Sequence, residues 1–182
     1  RGKSTLLGSI AHHIQSTLDF KIIVTAPNKR QICAMQRHYN TLIHNDELSE
    51  LSLNFIPPDQ CCDFANDKHV LIVDEMASIA PDVLRTMLKT YKTVILAGTT
   101  AGYEGSGQGF VQRLLPQINT TYHTKIHRLH RPFRWLENDP VEKFFDQLLC
   151  SVPVCIPETI ATDVDNSTEK PKKLSTQFAW ID

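Results

Sequence analysis

Residues 70–75 of this 182-residue chain read Val70-Leu71-Ile72-Val73-Asp74-Glu75, and no other stretch restricts the fold as much. Four apolar residues in a row, bounded by polar ones, mark a strand covered on both faces. Asp74 and Glu75 stand at its carboxyl end. A second constraint lies at the start of the chain, where Arg1-Gly2-Lys3-Ser4-Thr5 opens a helical pattern. Gly-Lys-Ser at a helix start is the second half of a phosphate-binding loop. There backbone N–H groups wrap the phosphates, the lysine reaches the β/γ oxygens and the hydroxyl holds Mg²⁺. Alone, the Gly-Lys-Ser motif also suits an ordinary helix start, and Asp74-Glu75 a solvated pair of carboxylates. Together they point to a nucleoside triphosphate site, in which Asp74 holds Mg²⁺ and Glu75 orients or deprotonates the attacking water. The full loop signature has a further glycine about five residues before Gly2 and a strand feeding it. The chain is therefore expected to be truncated at its N-terminal side.

The remaining pattern alternates strands and helices. Leu6, Leu7, Ile10, Ile14 and Leu18 recur at helical spacing and predict a helix from Lys3 to about Leu18. Lys21 to Thr25 reads as a buried strand ending at Ala26-Pro27. Asn28 is a candidate cap for a helix to about Ile43, with Ile32, Met35, Tyr39 and Ile43 on its inner side. Leu53 to Ile56 reads as a strand before Pro57-Pro58, and residues 59–66 as a helical turn at most. Pro81, where a missing N–H costs little, begins a helix to about Tyr91, and Thr93 to Ala97 is the next strand.

Five of the seven glycines then fall within residues 98–110. Such a concentration marks a loop with positive-φ positions or close backbone approach, and this one leaves the carboxyl end of a strand, where open α/β sheets bind ligands. Thr99 and Thr100 are candidates for sensing the γ-phosphate or positioning water. Tyr103 and Glu104 are candidates for coupling the site to a neighbouring domain or to RNA. A helix is expected over residues 109–118 and a strand over 121–129 carrying His123 and His127, with His130 just beyond. On a strand His123 and His127 share one face and His130 the other, with no cysteine or carboxylate nearby to complete a tetrahedral set, so the cluster does not read as a zinc site. In Arg131-Pro132-Phe133-Arg134-Trp135 an arginine can act as a finger on the transferring phosphoryl group, or can stack on Trp135 at the surface. Asp139-Pro140-Val141-Glu142 caps a helix to about Cys150. Residues 162–173 are polar and without period, a linker, and Phe178-Ala179-Trp180 begins something further.

Composition enters as a bound. A net charge of −1 excludes a globally basic nucleic-acid binder, although Lys170-Pro171-Lys172-Lys173 forms a local basic patch. Five cysteines at irregular spacing suit reduced thiols, and no apolar run approaches the length of a membrane span, so the expectation is a cytoplasmic protein with no membrane contact.

The sequence resembles a known family in four blocks taken in order. They are Arg1-Gly2-Lys3-Ser4, then Val73-Asp74-Glu75-Met76-Ala77-Ser78-Ile79, then residues 99–110, and Arg131-Pro132-Phe133-Arg134-Trp135 with Asp139-Pro140. They are similar to the ATPase module of the bacterial tRNA(Met) cytidine acetyltransferases, and Gly102-Tyr103-Glu104-Gly105-Ser106-Gly107 is the specific part. The family usually has smaller side chains where Met76 and Phe133 stand. The resemblance covers residues 1–150 and implies an α/β fold of the P-loop NTPase type, a RecA-like three-layer α/β/α arrangement on a mainly parallel sheet. Residues 151–182 would be a linker and the start of a following domain. It implies ATP and Mg²⁺ as ligands, with Arg1, Gly2, Lys3, Ser4, Thr5 and Arg134 binding ATP. Ser4 and Asp74 would hold Mg²⁺, and Lys3, Glu75 and Arg134 would act in catalysis. It further implies that ATP hydrolysis repositions elongator tRNA(Met) for N4-acetylation of its wobble cytidine, in a full-length protein with a neighbouring acetyltransferase domain that alone uses acetyl-CoA. The alternative is a RecD-like helicase or translocase. Against it, Gly98-Thr99-Thr100-Ala101-Gly102 stands where such helicases carry a Gly-Asp-x-x-Gln motif.

Overall fold

The computed structural model describes residues 2–18, 20–45, 53–98, 114–127, 129, 140–141, 144 and 177–178. Five strands make one sheet: β1 (Lys21–Thr25), β2 (Asn54–Phe55), β3 (His69–Val73), β4 (Thr93–Leu96) and β5 (Gln177–Phe178). Their order is β2-β1-β3-β4-β5, with every neighbouring pair parallel. Gln177–Phe178, in the stretch that the sequence assigns to a following unit, lies beside Ile95 and Leu96 of β4.

Alternation along the strands sorts the core into two halves. Ile22, Val24, Val70, Ile72 and Ile95 point to one face, where they meet Leu7 and Ala11 of α1 (Lys3–Leu18) and Met35, Tyr39 and Ile43 of α2 (Cys33–Asn45). Ile23, Leu71, Val73, Val94 and Leu96 point to the other, against Leu84, Met87 and Leu88 of α3 (Pro81–Thr90) and Leu115 and Ile118 of α4 (Leu115–Thr121). The result is the three-layer, RecA-like α/β/α arrangement that the sequence predicts. The crossover from β1 to β2 and the one from β3 to β4 run in opposite directions along the sheet and carry their helices on opposite faces, as one common hand requires.

Local chemistry explains most element ends. Asn28 accepts the Arg30 N–H at 2.9 Å and Gln31 accepts the Asn28 N–H at 3.1 Å, so the cap closes on a 3₁₀ turn (Lys29–Ile32) before α2 proper begins. The strand predicted at 53–56 is only two residues long, because Pro57 and Pro58 bring no N–H to a ladder. Residues 61–64 form a single 3₁₀ turn. There the buried Cys61 carbonyl accepts the Tyr91 hydroxyl.

One expectation fails outright. Residues 121–127 do not form a strand: α4 continues to Thr121, and beyond it only His123 makes an isolated bridge. The threonines explain this. Thr120 and Thr121 each donate a hydroxyl to the Gln117 carbonyl, and Thr124 donates to Asn119, so the β-branched side chains that suggest a strand serve a helix end instead. Among the described residues the helix runs from Leu115, with Pro116 in its first turn, to Thr121, and residues 109–113 of the predicted helix lie outside them.

α1 and α2 pack face to face through small residues. Gly8 and Ala11, not the larger Ile10 and Ile14, sit at the buried centre of α1, and Leu18 is exposed. A Cβ added at Gly8 would lie 2.9 Å from the Met35 carbonyl oxygen, so this glycine sets the distance between the two helices. Polar links flank the contact: the Tyr39 hydroxyl donates to Gln15, and Ser9 lies 2.9 Å from His38 Nε2.

Candidate nucleotide site

The sheet reverses its winding direction between β1 and β3, and in open α/β sheets the crevice outside the carboxyl ends at such a point is where ligands bind. Asp74 and Glu75 leave β3 at that crevice. Their backbone is fixed by three hydrogen bonds. The Asp74 N–H reaches the Thr25 carbonyl at 2.9 Å, the Ala97 N–H reaches Val73 at 2.8 Å, and the Met76 N–H reaches Ala97 at 2.9 Å. Asp74 is thus held between the ends of β1 and β4, and it is buried, with 2% of its surface exposed.

Across the crevice stands the N-terminus of α1. Gly2 has φ 98°, a left-handed value that favours glycine, and its carbonyl accepts the Leu6 N–H at 2.9 Å as the first helical bond. Lys3 and Ser4 therefore fall in the first turn, both partly buried, with Thr5 exposed beside them. The Lys3 ammonium lies 3.1 Å from Asp74 Oδ1 and also pairs with Glu75 Oε2. Residues 72 positions apart in the chain are brought into direct contact.

Glu75 is the single non-glycine residue with positive φ among the described residues, at φ 52° and ψ 48°. Its N–H turns back to Asp74 Oδ1 at 2.9 Å. A left-handed backbone at a side chain with a Cβ costs on the order of 1 kcal/mol and persists where surrounding structure over-determines it, most often at functional sites. Here the strain is held by the 3₁₀ turn over residues 76–78 and by Met76, which is buried. Met76 packs tightly on Gly98, where an added Cβ would come within 3.1 Å of its Cγ and Cε.

The donors suit a hard divalent cation: two carboxylates and a hydroxyl in the first turn of a helix supply oxygen, with no nitrogen or sulfur. Asp74 and Ser4 would hold Mg²⁺, and the free N–H groups of the first turn of α1 would face phosphate. Of the residues singled out in the sequence, Gly2, Lys3, Ser4, Thr5, Asp74 and Glu75 are described. Lys3, Asp74 and Glu75 are brought together. Arg1, Thr99, Thr100, Tyr103, Glu104 and Arg134 lie outside the described residues. Sequence reasoning did not identify the Thr25 carbonyl as the anchor of Asp74, since a backbone contact leaves no trace in residue type. It noted Met76 only as an unusual residue, although a large apolar side chain directly after Asp-Glu and a glycine two residues beyond β4 were both visible.

Comparison with known proteins bears on what this site belongs to. A tRNA(Met) cytidine acetyltransferase TmcA of Haemophilus influenzae is 34% identical over 156 residues, covering 82% of this chain and 21% of the relative. The protein of the same name from Nitrosococcus halophilus is 33% identical over 180 residues, covering 90% of this chain and 24% of the relative. The chain thus spans less than a quarter of the length of these two relatives. The family model described as "RNA cytidine acetyltransferase NAT10/TcmA, helicase domain" matches residues 1–151. On that match, which takes in both halves of the candidate site and all of the sheet but β5, the chain belongs to the helicase-domain family of the NAT10/TcmA RNA cytidine acetyltransferases.

Proposed function

We propose that this chain is the ATP-hydrolysing module of a tRNA(Met) cytidine acetyltransferase, and that it couples hydrolysis to repositioning the tRNA for N4-acetylation of the wobble cytidine. The observation that carries the reading is the meeting of Lys3 with both Asp74 and Glu75 at the switch point of the sheet. The family membership and the names of the relatives support the tRNA half of the proposal. In this reading Lys3 neutralises β/γ-phosphate oxygens, and the first-turn N–H groups of α1 hold the phosphates. Ser4 and Asp74 would hold Mg²⁺, which would supply charge stabilisation to the phosphoryl group. Glu75 accepts the proton of the attacking water. Arg134 contacts the transferring phosphoryl group, and Thr99, Thr100, Tyr103 and Glu104 relay the state of the site to RNA or to the acetyltransferase domain.

The test is Glu75→Gln in the full-length protein. The variant keeps the size of the side chain and one acceptor oxygen but cannot take a proton. It should bind ATP as wild type does, while hydrolysis and tRNA acetylation are lost together. Acetylation at the wild-type rate would break the proposed coupling. ATP hydrolysis stimulated equally by any single strand, with processive strand displacement, would replace it by a helicase activity.

A further inference from the structure

We infer that the outer face of α2, with the turn that leads into it, is a docking surface for the phosphate backbone of RNA, and that Lys29, Arg30 and Arg37 are its cations. The inference rests on the RNA substrate in the reading above and locates where that RNA is held.

Charge is divided unevenly along the chain. Residues 1–45 carry six lysines and arginines against a single carboxylate, Asp19, a net of +5. Residues 46–182 carry thirteen against nineteen, a net of −6. The overall charge of −1 hides this split, and such asymmetry points to a polyanion on the basic part. Within that part α1 and α2 contain no aspartate or glutamate, and neither do residues 20–32 between them.

Ile32, Met35, Tyr39 and Ile43 face the core. The opposite side shows Lys29, Arg30, Cys33, Ala34, Arg37 and Thr41 to solvent. Arg30 and Arg37 stand two turns apart, roughly 10 Å along the axis. Cys33 and Ala34 between them are small, so a bulky strand can lie close. Among the described residues none of the three cations pairs with a carboxylate. Arg37 uses one N–H on the Cys33 carbonyl, at 3.3 Å, and keeps the rest of its guanidinium as donors.

The placing of Lys29 and Arg30 works against local stability. Cys33 has helical backbone, φ −58° and ψ −34°, so the turn runs into α2 without a break. Cations at the start of a helix oppose its dipole, and no acidic residue in the first turn offsets them. α3 has the favourable arrangement, with Asp82 in its first turn and Lys89 in its last. A surface arranged against its own helix is explained by an anion that it binds, and lysine and arginine on phosphate oxygens position nucleic acid without reading its sequence. The surface also adjoins the candidate nucleotide site. Thr25 and Val73 are partners in register, so the chain leaves β1 for Lys29 at the same edge of the sheet where β3 releases Asp74.

The test is tRNA binding by the full-length protein without nucleotide, followed by fluorescence anisotropy between about 50 and 200 mM salt. Lys29→Gln, Arg30→Gln and Arg37→Gln together should weaken binding at least about tenfold at the lower salt and flatten the slope of log K against log salt by about 2, since each phosphate contact contributes about 0.7–0.9. Cognate and non-cognate tRNA should lose affinity alike. The charge-keeping triple Lys29→Arg, Arg30→Lys and Arg37→Lys should bind as wild type does. The glutamine triple should have a urea midpoint no lower than wild type, which separates lost binding from lost structure. Unchanged affinity and slope, a loss independent of salt, a loss confined to one tRNA, a loss shared by the charge-keeping triple or a loss accompanied by a lower midpoint would each overturn the inference. If wild type itself binds no tRNA, the tRNA half of the proposed function falls together with the surface; if wild type binds and the glutamine triple binds equally, the surface alone falls.

Discussion

Gly8→Ala tests the close crossing of α1 and α2. A methyl group on this residue would lie 2.9 Å from the Met35 carbonyl oxygen and 3.3 Å from both His38 Cδ2 and the Tyr39 nitrogen. On an exposed helix the same change would stabilise by about 1 kcal/mol, since alanine is the better helix former. Here two of the three neighbours are backbone atoms of α2, and Met35 and Tyr39 are fully buried, so the clash is not relieved by rotating a side chain. Overpacking of this kind costs roughly 1–3 kcal/mol, and the rigid partners argue for the upper half of that range. The expected net loss is then about 1–2 kcal/mol. With a urea dependence of about 2 kcal/mol per molar, the midpoint falls by roughly 0.5–1 M at unchanged slope, read by far-ultraviolet circular dichroism. His38→Ala in the same background should recover little, because it removes only one of the 3.3 Å contacts. A Gly8→Ala protein as stable as wild type, or more so, would refute the reasoning.

Three further outcomes follow from contacts on the opposite face and from burial. Tyr91→Phe removes the hydroxyl donated to the buried Cys61 carbonyl and should cost about 1–3 kcal/mol in the same urea assay; a neutral result means the carbonyl finds another donor. Met76→Ala should destabilise by about 2–5 kcal/mol, and Gly98→Ala should cost less in that background than in wild type, since its methyl would otherwise press on Met76 at 3.1 Å; strict additivity argues against the contact. Burial pushes the Cys61 thiol from 9.0 up to about 12 and the Tyr39 hydroxyl from 10.0 up to about 12. Above about pH 9 the unfolded chain has lost protons that the folded one keeps, so this contribution to stability is complete below pH 9 and lost as the pH rises toward 12. A urea midpoint that stays level between pH 9 and 11 would contradict it.

Much of this architecture was legible because burial and period coincide in it. α1 and β1 run as the pattern says, and Ile32, Met35, Tyr39 and Ile43 are all buried. The strand ending in Asp74 reads directly as an apolar run because both its faces are covered. Elsewhere large side chains misled. The α1 seam is made by Gly8 and Ala11, which carry little hydropathy signal but permit close approach, while Leu18 looks like core and is exposed. Thr120, Thr121 and Thr124 have the composition of a strand, and local hydroxyl-to-carbonyl and hydroxyl-to-amide bonds decide for a helix end instead. At the site, the residue types could be read from spacing and motif. The hold of Lys3 on both carboxylates could not, because it depends on where the start of α1 and the end of β3 bring side chains some 72 positions apart.

The left-handed backbone at Glu75 sets two requirements on one residue that few amino acids satisfy together. Folding alone would favour glycine or asparagine there, which accept that conformation at little cost. Under the proposed ATPase reading, proton transfer from water would ask for a carboxylate at the reach of glutamate, and valine, isoleucine or threonine would satisfy neither demand. In a saturation scan of position 75, ranking by stability and ranking by turnover should therefore differ at the top, with glycine near the head of the first and glutamate alone at the head of the second. A stability–activity trade-off usually spread over a whole protein would be concentrated at one peptide unit.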